Sequence, residues 1–367
     1  MKKMLILFCV VSIDSQGQLP NRDSSRVYDL STSFLYSSIL TGKGSLQQFT
    51  SDHPWSAQLD FGLTKNTPQS WNYCNCYSRN GVSLAYFNLA NPPKLGTAVT
   101  LSVFAEPILI LQKSFTLSLR GSAGFVLMNK VYDSITNPDN IFVSSRLSYL
   151  LNLGIKAQYS INRHFKAAAT FQLNHISNGG KRDPNEGMNF VGAGFSLNYV
   201  LNPSEFQKRP IQKFDDNSWM LMLHVFGGNR IAMANSYHLW NEESRPVGGL
   251  NAGVIKQIGR MNGVGVGGEI YYDGINEVNQ QRSGHPIQST VAGVSLQHYL
   301  FFGKLLFGQQ LALYVTPDTG QKQSIYQRYF LEYEIKKGWF AGVTLKGHGN
   351  HSDYLAISAA HRFKLTH

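Results

Sequence analysis

Apolar side chains occupy every second position over long stretches of this chain, a period of two that places them on one face only if the backbone is extended. Trp55, Ala57, Leu59, Phe61 and Leu63 alternate with Ser56, Gln58, Asp60, Gly62 and Thr64. Phe115, Leu117, Leu119, Ala123, Phe125 and Leu127 alternate with Thr116, Ser118, Arg120, Ser122 and Gly124, and Leu355, Ile357, Ala359 and Phe363 repeat the pattern near the end. Strands are predicted near 25–40, 54–64, 80–89, 96–111, 114–128, 141–160, 163–177 and 188–201. A second set is predicted near 218–229, 247–259, 263–274, 287–301, 304–316, 325–336, 339–347 and 353–364.

Such alternation also suits a soluble sandwich or a lipocalin, whose apolar rows point inward. Strand length, strand number and an aromatic content of 12 % favour the inverted arrangement, apolar outside. With only 15 % charged residues the chain does not have a disordered composition. Beyond the first residues, no apolar run approaches the roughly 18 needed for a membrane helix. A chain of this kind crosses a membrane with strands.

The connections support that choice. "LQKS", "SINR", "GRMNG", "FFGK" and "KKGW" are short turns on one rim. "NKVYDSITNPDN", "SNGGKRDPNEG", "AMANSYHLWNEESRP" and "NEVNQQRSGHP" are long polar loops on the other. That asymmetry marks an outer-membrane barrel with its short rim in the periplasm. "TKNTPQSWNYCNCYSRN" is too long for a periplasmic turn and is predicted to hold an irregular strand extension. The predicted fold class is therefore all-β, a transmembrane antiparallel barrel of about 16 strands in two eight-strand halves, as one large barrel or two small ones.

Residues 1–17, "MKKMLILFCVVSIDSQG", join two lysines to a short apolar run and small residues, the pattern of a secretory signal cleaved near Gln18. Cys9 lies too early in that run to suit a lipid-modified cysteine. The expected units are then 18–202, a linker at 203–217, and 218–367. Cys74 and Cys76 are predicted as free thiols on one strand face, because a bridge between strand positions i and i+2 sits near the limit of disulfide geometry. The pair has no neighbouring His or Cys at metal-ligand spacing. Formal net charge is +11, with the charges scattered. In an exported chain that favours an anionic lipid headgroup over nucleic acid as partner.

In "FKAAATFQLNHISNGGKRDPNEGMNF" the row Phe165, Ala167, Ala169, Phe171 and Leu173 continues as His175 and Ser177, while Lys166, Thr170, Gln172 and Asn174 share the opposite face. The apolar row faces lipid, so His175 and Ser177 stand at its outer end, beside the long-loop rim. Asn189 heads the facing row of Val191, Ala193, Phe195, Leu197 and Tyr199. Polar residues cost little at the membrane interface, so their position alone proves no function. Their types do suggest chemistry. His175 can act as base for a Ser177 nucleophile, and Asn189 across the hairpin can orient the imidazole. The glycines of "SNGG" let backbone N–H groups approach an oxyanion, and Lys181 and Arg182 can hold an anionic lipid headgroup. Taken singly, these two cations also fit a solvated loop.

"NHISNGGKRDPNEGMNF" resembles the His-x-Ser-Asn signature, followed by Pro-Asn-x-Gly, of the outer-membrane lipid A 3-O-deacylases, esterases that remove a hydroxyacyl chain from lipopolysaccharide. The resemblance covers about residues 25 to 201. It implies His175 as base, Ser177 as nucleophile, Asn178 and Gly179 as the oxyanion region, lipid A as substrate and no cofactor. The family's acidic third member falls here on Asn189. Glu186 is a nearby acid with poorer strand parity. The same spacing resembles outer-membrane phospholipase A, whose third member is Asn and which uses calcium. The second half resembles the extra half of longer deacylases, with no motif-level role of its own.

Weaker features carry less. "GVGVGGE" resembles a dinucleotide loop only superficially, since it lies within an alternating strand; glycines packed against a crowded barrel interior are expected. His348 and His351 are expected to be solvated, and Arg328, Glu332 and Glu334 to face the lumen together. The rivals to a lipid A deacylase are a phospholipase A with the same three residues and a non-enzymatic porin or structural barrel. Analysis of lipid A and phospholipids after incubation with the protein discriminates all three.

Overall fold

Each strand finds a hydrogen-bonding neighbour on both sides, and the ladder closes twice. The computed structural model describes residues 25–41, 44–214, 218–232, 240–321, 323–349 and 351–365. The segment read as an export signal lies outside them. The first barrel comprises β1 (Arg26–Leu40), β2 (Trp55–Lys65), β3 (Ser78–Asn88), β4 (Thr97–Leu111), β5 (Phe115–Met128), β6 (Leu147–Ser160), β7 (Phe165–Ser177) and β8 (Met188–Val200). The second comprises β9 (Trp219–Ala232), β10 (Glu243–Gln257), β11 (Asn262–Asp273), β12 (Thr290–Phe302), β13 (Leu305–Tyr314), β14 (Ile325–Lys336), β15 (Trp339–His348) and β16 (His351–Leu365). β8 pairs with β1 and β16 with β9, so the chain forms two closed eight-stranded barrels.

Alternation is inverted, as membrane strands require. On β6 Leu151, Leu153 and Ile155 are exposed while Leu150, Asn152 and Lys156 are buried. No helix among the described residues is long and apolar enough to cross a membrane.

Eight strands leave an interior that side chains fill. In the first barrel Arg79 donates to Asp29 at 2.8 Å and to Glu106 at 3.1 Å, Arg120 donates to Asp60 at 2.6 Å, and Lys156 Nζ lies 3.8 Å from Glu106. Both guanidiniums also cover the Phe104 ring, at 4.7 and 4.0 Å. Towards the long-loop rim an apolar cluster, including Phe49, Phe87, Phe142, Val143, Ile176 and Phe190, plugs the lumen. Phe142 and Val143 belong to a loop packed into this plug, which is why the strand predicted from 141 begins only at Leu147.

Arg328, Glu332 and Glu334 do share the inward row of β14, but they pair across the second lumen with other strands. Arg328 donates to Glu269 at 2.6 Å, Glu332 takes Ser358 at 2.7 Å, and Arg362 reaches Glu334 at 3.3 Å. The β11 glycines pack as expected: a Cβ at Gly265 would lie 2.0 Å from the Val254 carbonyl.

Four local expectations are corrected. Residues 66–77 contain a helix, α1 (Pro68–Asn72), because Pro68 starts it and Thr67 and Ser70 cap it reciprocally. α2 (Gly274–Ser283) occupies much of a segment read as a long polar loop, with the Asp273 carboxylate accepting from the Ile275 N–H at 3.2 Å. Cys74 and Cys76 form a disulfide, because Asn75 at φ 52° turns the chain and brings their Cα atoms to 5.0 Å. His348 is not solvated. It is buried at the end of β15, 3.0 Å from Asp353 and 2.8 Å from the Tyr314 hydroxyl.

No strand of one barrel pairs with the other, and the two meet through rim segments. At the short-turn rim Trp71 donates to the Pro210 carbonyl at 3.2 Å and Arg260 to the Asn72 carbonyl at 2.6 Å.

Removing one partner from a buried ion network strands the other charge, at about 3–5 kcal/mol. Asp60→Ala should lower the stability of the folded protein in lipid by this amount, read from urea titration followed by heat-modifiable gel mobility. Leu153→Arg, on the lipid face, should cost about 2–4 kcal/mol in the same assay. Wild-type midpoints for both would contradict the inward and outward assignments.

Candidate active site

β7 and β8 bring His175 and Asn189 face to face. They are register partners at the outer end of the hairpin, and His175 Nδ1 lies 2.7 Å from Asn189 Oδ1. Both stand on the lipid-facing row, partly covered, with Ser177 two residues beyond His175. Glu186 is exposed and makes no side-chain contact with His175; its backbone N–H donates to the Ile141 carbonyl at 3.2 Å. No hydrogen bond joins His175 to Ser177 among the described contacts.

The loop after Ser177 is held from within. Asn178 is fully buried. Its backbone N–H donates to Asn185 Oδ1 at 2.8 Å, its side-chain amide donates to Ser144 Oγ at 3.1 Å and to the Arg182 carbonyl, and its own carbonyl oxygen Oδ1 accepts from the Lys181 N–H at 3.1 Å. The buried Gly179 N–H meets no acceptor among the described residues. Gly179 and Gly180 sit at φ 68° and 74°, where a Cβ is unfavourable.

Two residues that sequence reasoning left without a role shape this site. Asn185 holds the Asn178 N–H, and Gly187, at φ 72°, lies so close to His175 that a Cβ there would be 2.7 Å from its Cε1. Both belong to the Pro-Asn-x-Gly stretch, the one signal that pointed to them.

Among the rim loops, partly walled by Lys181 and Arg182 of the loop that follows Ser177, a cavity of about 620 Å³ opens. Lys130, Arg146, Lys181 and Arg182 line it, and Asp133 is the acid among its walls. Backbone N–H groups of Thr136 and Ile135 hold the Asp133 carboxyl below its ordinary value. Arg182 also reaches Glu242 at 3.2 Å. Below His175 the outer face is apolar through Leu151, Leu153 and Leu173 to a depression of about 460 Å³ between Phe171 and Phe195, floored by Ala157, Ala169 and Ala193. The polar pair thus stands between a cationic cavity and an apolar surface.

The sequence profile of the lipid A 3-O-deacylase (PagL) family matches residues 45–198, and that of the acyloxyacyl hydrolase C-terminal domain matches residues 217–365. The chain belongs to this family. It is an acyl-hydrolysing enzyme, and its barrels are integral to the outer membrane. Among solved structures it is similar to the outer membrane enzyme PagL, at 11 % identity over 46 % of this chain and 97 % of that one, with a TM-score of 0.34. It is also similar to a mutant of Rh. blastica porin, at 10 % identity over 92 % of this chain and 100 % of that one, with a TM-score of 0.20. No curated protein matches it.

Gly187→Ala places a methyl group against the imidazole at a left-handed backbone position. It should lower acyl hydrolysis about ten- to a hundred-fold, the usual cost of displacing a reacting group by a fraction of an ångström to an ångström, with wild-type gel mobility. Gly121→Ala, where a Cβ would meet nothing within 4 Å, is the control expected to keep full activity.

Proposed function

We propose that the protein is a serine esterase that removes an ester-linked acyl chain from lipid A, working on the outside of its first barrel. The observation that carries this reading is the 2.7 Å contact between His175 and Asn189 on the lipid-facing row. With the Asn189 amide oxygen as acceptor, Nδ1 carries the proton and Nε2 is the basic nitrogen. Ser177 stands two residues along the same row, and catalytic contacts of this kind commonly tighten only around substrate.

Ser177 Oγ then attacks the ester carbonyl while His175 takes its proton. The tetrahedral oxyanion is held by the Gly179 N–H, and Asn178 braces that loop from its buried side. Collapse expels the sugar hydroxyl, which takes the proton back from His175. Water repeats the sequence on the acyl-enzyme and restores Ser177. Lys181 and Arg182, with Lys130 and Arg146, offer a phosphorylated sugar four cations at the level of the headgroup. The acyl chain lies along Leu151, Leu153 and Leu173. Six residues of strand, about 20 Å, separate Ser177 from Phe171, so the depression there receives only the far end of a chain.

The neutral partner of His175 is the one feature that favours phospholipase A instead. Mass spectrometry of lipid A and phospholipids after incubation with the purified protein separates the two. Loss of one acyl chain from lipid A, undiminished by excess chelator and at least about 10⁴-fold slower in Ser177→Ala, is the expected result. Strictly calcium-dependent release from phospholipid would establish the rival, and retained cleavage in Ser177→Ala would remove the mechanism.

Asn189 orients the imidazole without adding charge. Asn189→Ala should therefore lower the rate at every pH, by less than the roughly 10⁴-fold loss of a full triad's acid. Asn189→Glu should move the acid limb of the pH–rate profile to higher pH, because a carboxylate stabilises the imidazolium and activity needs the neutral ring. An Asn189→Ala profile identical to wild type would show that another group orients His175.

A further inference from the structure

The long-loop rim of the second barrel meets the first barrel at the segment that follows Ser177. Gly180 packs directly on the start of β16: a Cβ there would lie 2.4 Å from the Ser352 carbonyl oxygen and 2.6 Å from that of Asp353. Gly179 packs beside it, where a Cβ would lie 2.9 Å from Leu355 Cβ. Asn185 donates from its side-chain amide to Ser352 Oγ at 3.3 Å, while its Oδ1 accepts the Asn178 N–H at 2.8 Å. A continuous path therefore runs from β16 through Asn185 to the peptide group joining Ser177 to Asn178.

The far end of this path is anchored. Asp353 turns into the second lumen, where Lys346 donates to it and His348 Nδ1 lies 3.0 Å away. Lys346 also donates to Tyr314 at 2.8 Å, and the ladder shifts register beside it, between Lys346 and Gly347. The backbone at Ser352 and Asp353 is thus fixed by charges buried in a barrel that carries none of the site residues described above. A loop with three positive-φ glycines, Gly179, Gly180 and Gly187, has many conformations open to it. Contact with a rigid rim selects one.

We propose that the second barrel is a positioning element, holding the 178–187 loop in the conformation that aims Ser177 and the Gly179 N–H, with Ser352 and Asn185 as the transmitting pair. This rests on the esterase reading for its kinetic consequence. The structural consequence, restraint of the loop, does not depend on it.

The test is a double-mutant cycle on the full-length protein in lipid, with two readouts. In steady-state kinetics on lipid A, Ser352→Ala should lower kcat about three- to ten-fold with KM unchanged, as the loss of one positioning hydrogen bond would. Ser352→Thr, which keeps the hydroxyl, should restore it, and the Ser352→Ala, Asn185→Ala double variant should be no slower than Asn185→Ala alone. In hydrogen exchange, protection of the 178–187 amides should fall about five-fold in either single variant while the β7 and β8 amides stay protected. Additive effects on kcat, or wild-type exchange across 178–187 in Ser352→Ala, would overturn the proposal. A wild-type protein that cleaves no lipid A would instead sink the esterase reading, and the exchange data would still decide whether the second barrel restrains the loop.

Discussion

In hydrocarbon no water is available to the peptide group, so every backbone N–H and C=O must find its partner within the ladder. That requirement closes each set of eight strands on itself. Closure at eight strands in turn leaves an interior only as wide as its side chains. Asp29, Asp60, Arg79, Glu106, Arg120 and Lys156 fill the middle of the first barrel, and the apolar cluster around Phe142 and Phe190 fills its outer end. A lumen filled in this way supports the proposed placement of the chemistry on the outer surface.

On that surface polar groups are tolerated only near the interface. His175, Ser177 and Asn189 occupy the last rungs of their rows, just where Leu151, Leu153 and Leu173 give way to the rim loops. The same height puts the cations of the rim cavity above them and apolar wall below. The site is therefore a consequence of depth as much as of residue type: moved four residues down the strand, the same side chains would stand unsolvated among Phe171 and Phe195.

The rim loop that follows Ser177 has to be both open to a ligand and fixed. Its glycines provide the open, close-approach backbone, and they remove the side chains that would otherwise pack it. Fixation comes from within, through the hydrogen bonds of Asn178, and from outside, through Ser144 on the first barrel and Ser352 and Leu355 on the second. A second barrel built around its own buried network of Arg328, Glu269, Lys346 and Asp353 offers a rigid surface for this purpose.

By itself the sequence determined which strands exist, which face of each meets lipid and which polar residues end the apolar row at the rim, because alternation is local and the membrane reads it directly. The resemblance in "NHISNGGKRDPNEGMNF" likewise needed only neighbouring residues. Whatever depended on distance between remote residues was decided by the tertiary structure alone: closure into two barrels, and the contact between Asn185 and Ser352, 167 residues apart. The local misreadings have the same cause. The bond between Cys74 and Cys76 required a turn that strand parity does not anticipate, and the burial of His348 required Tyr314 and Asp353 to arrive from other strands.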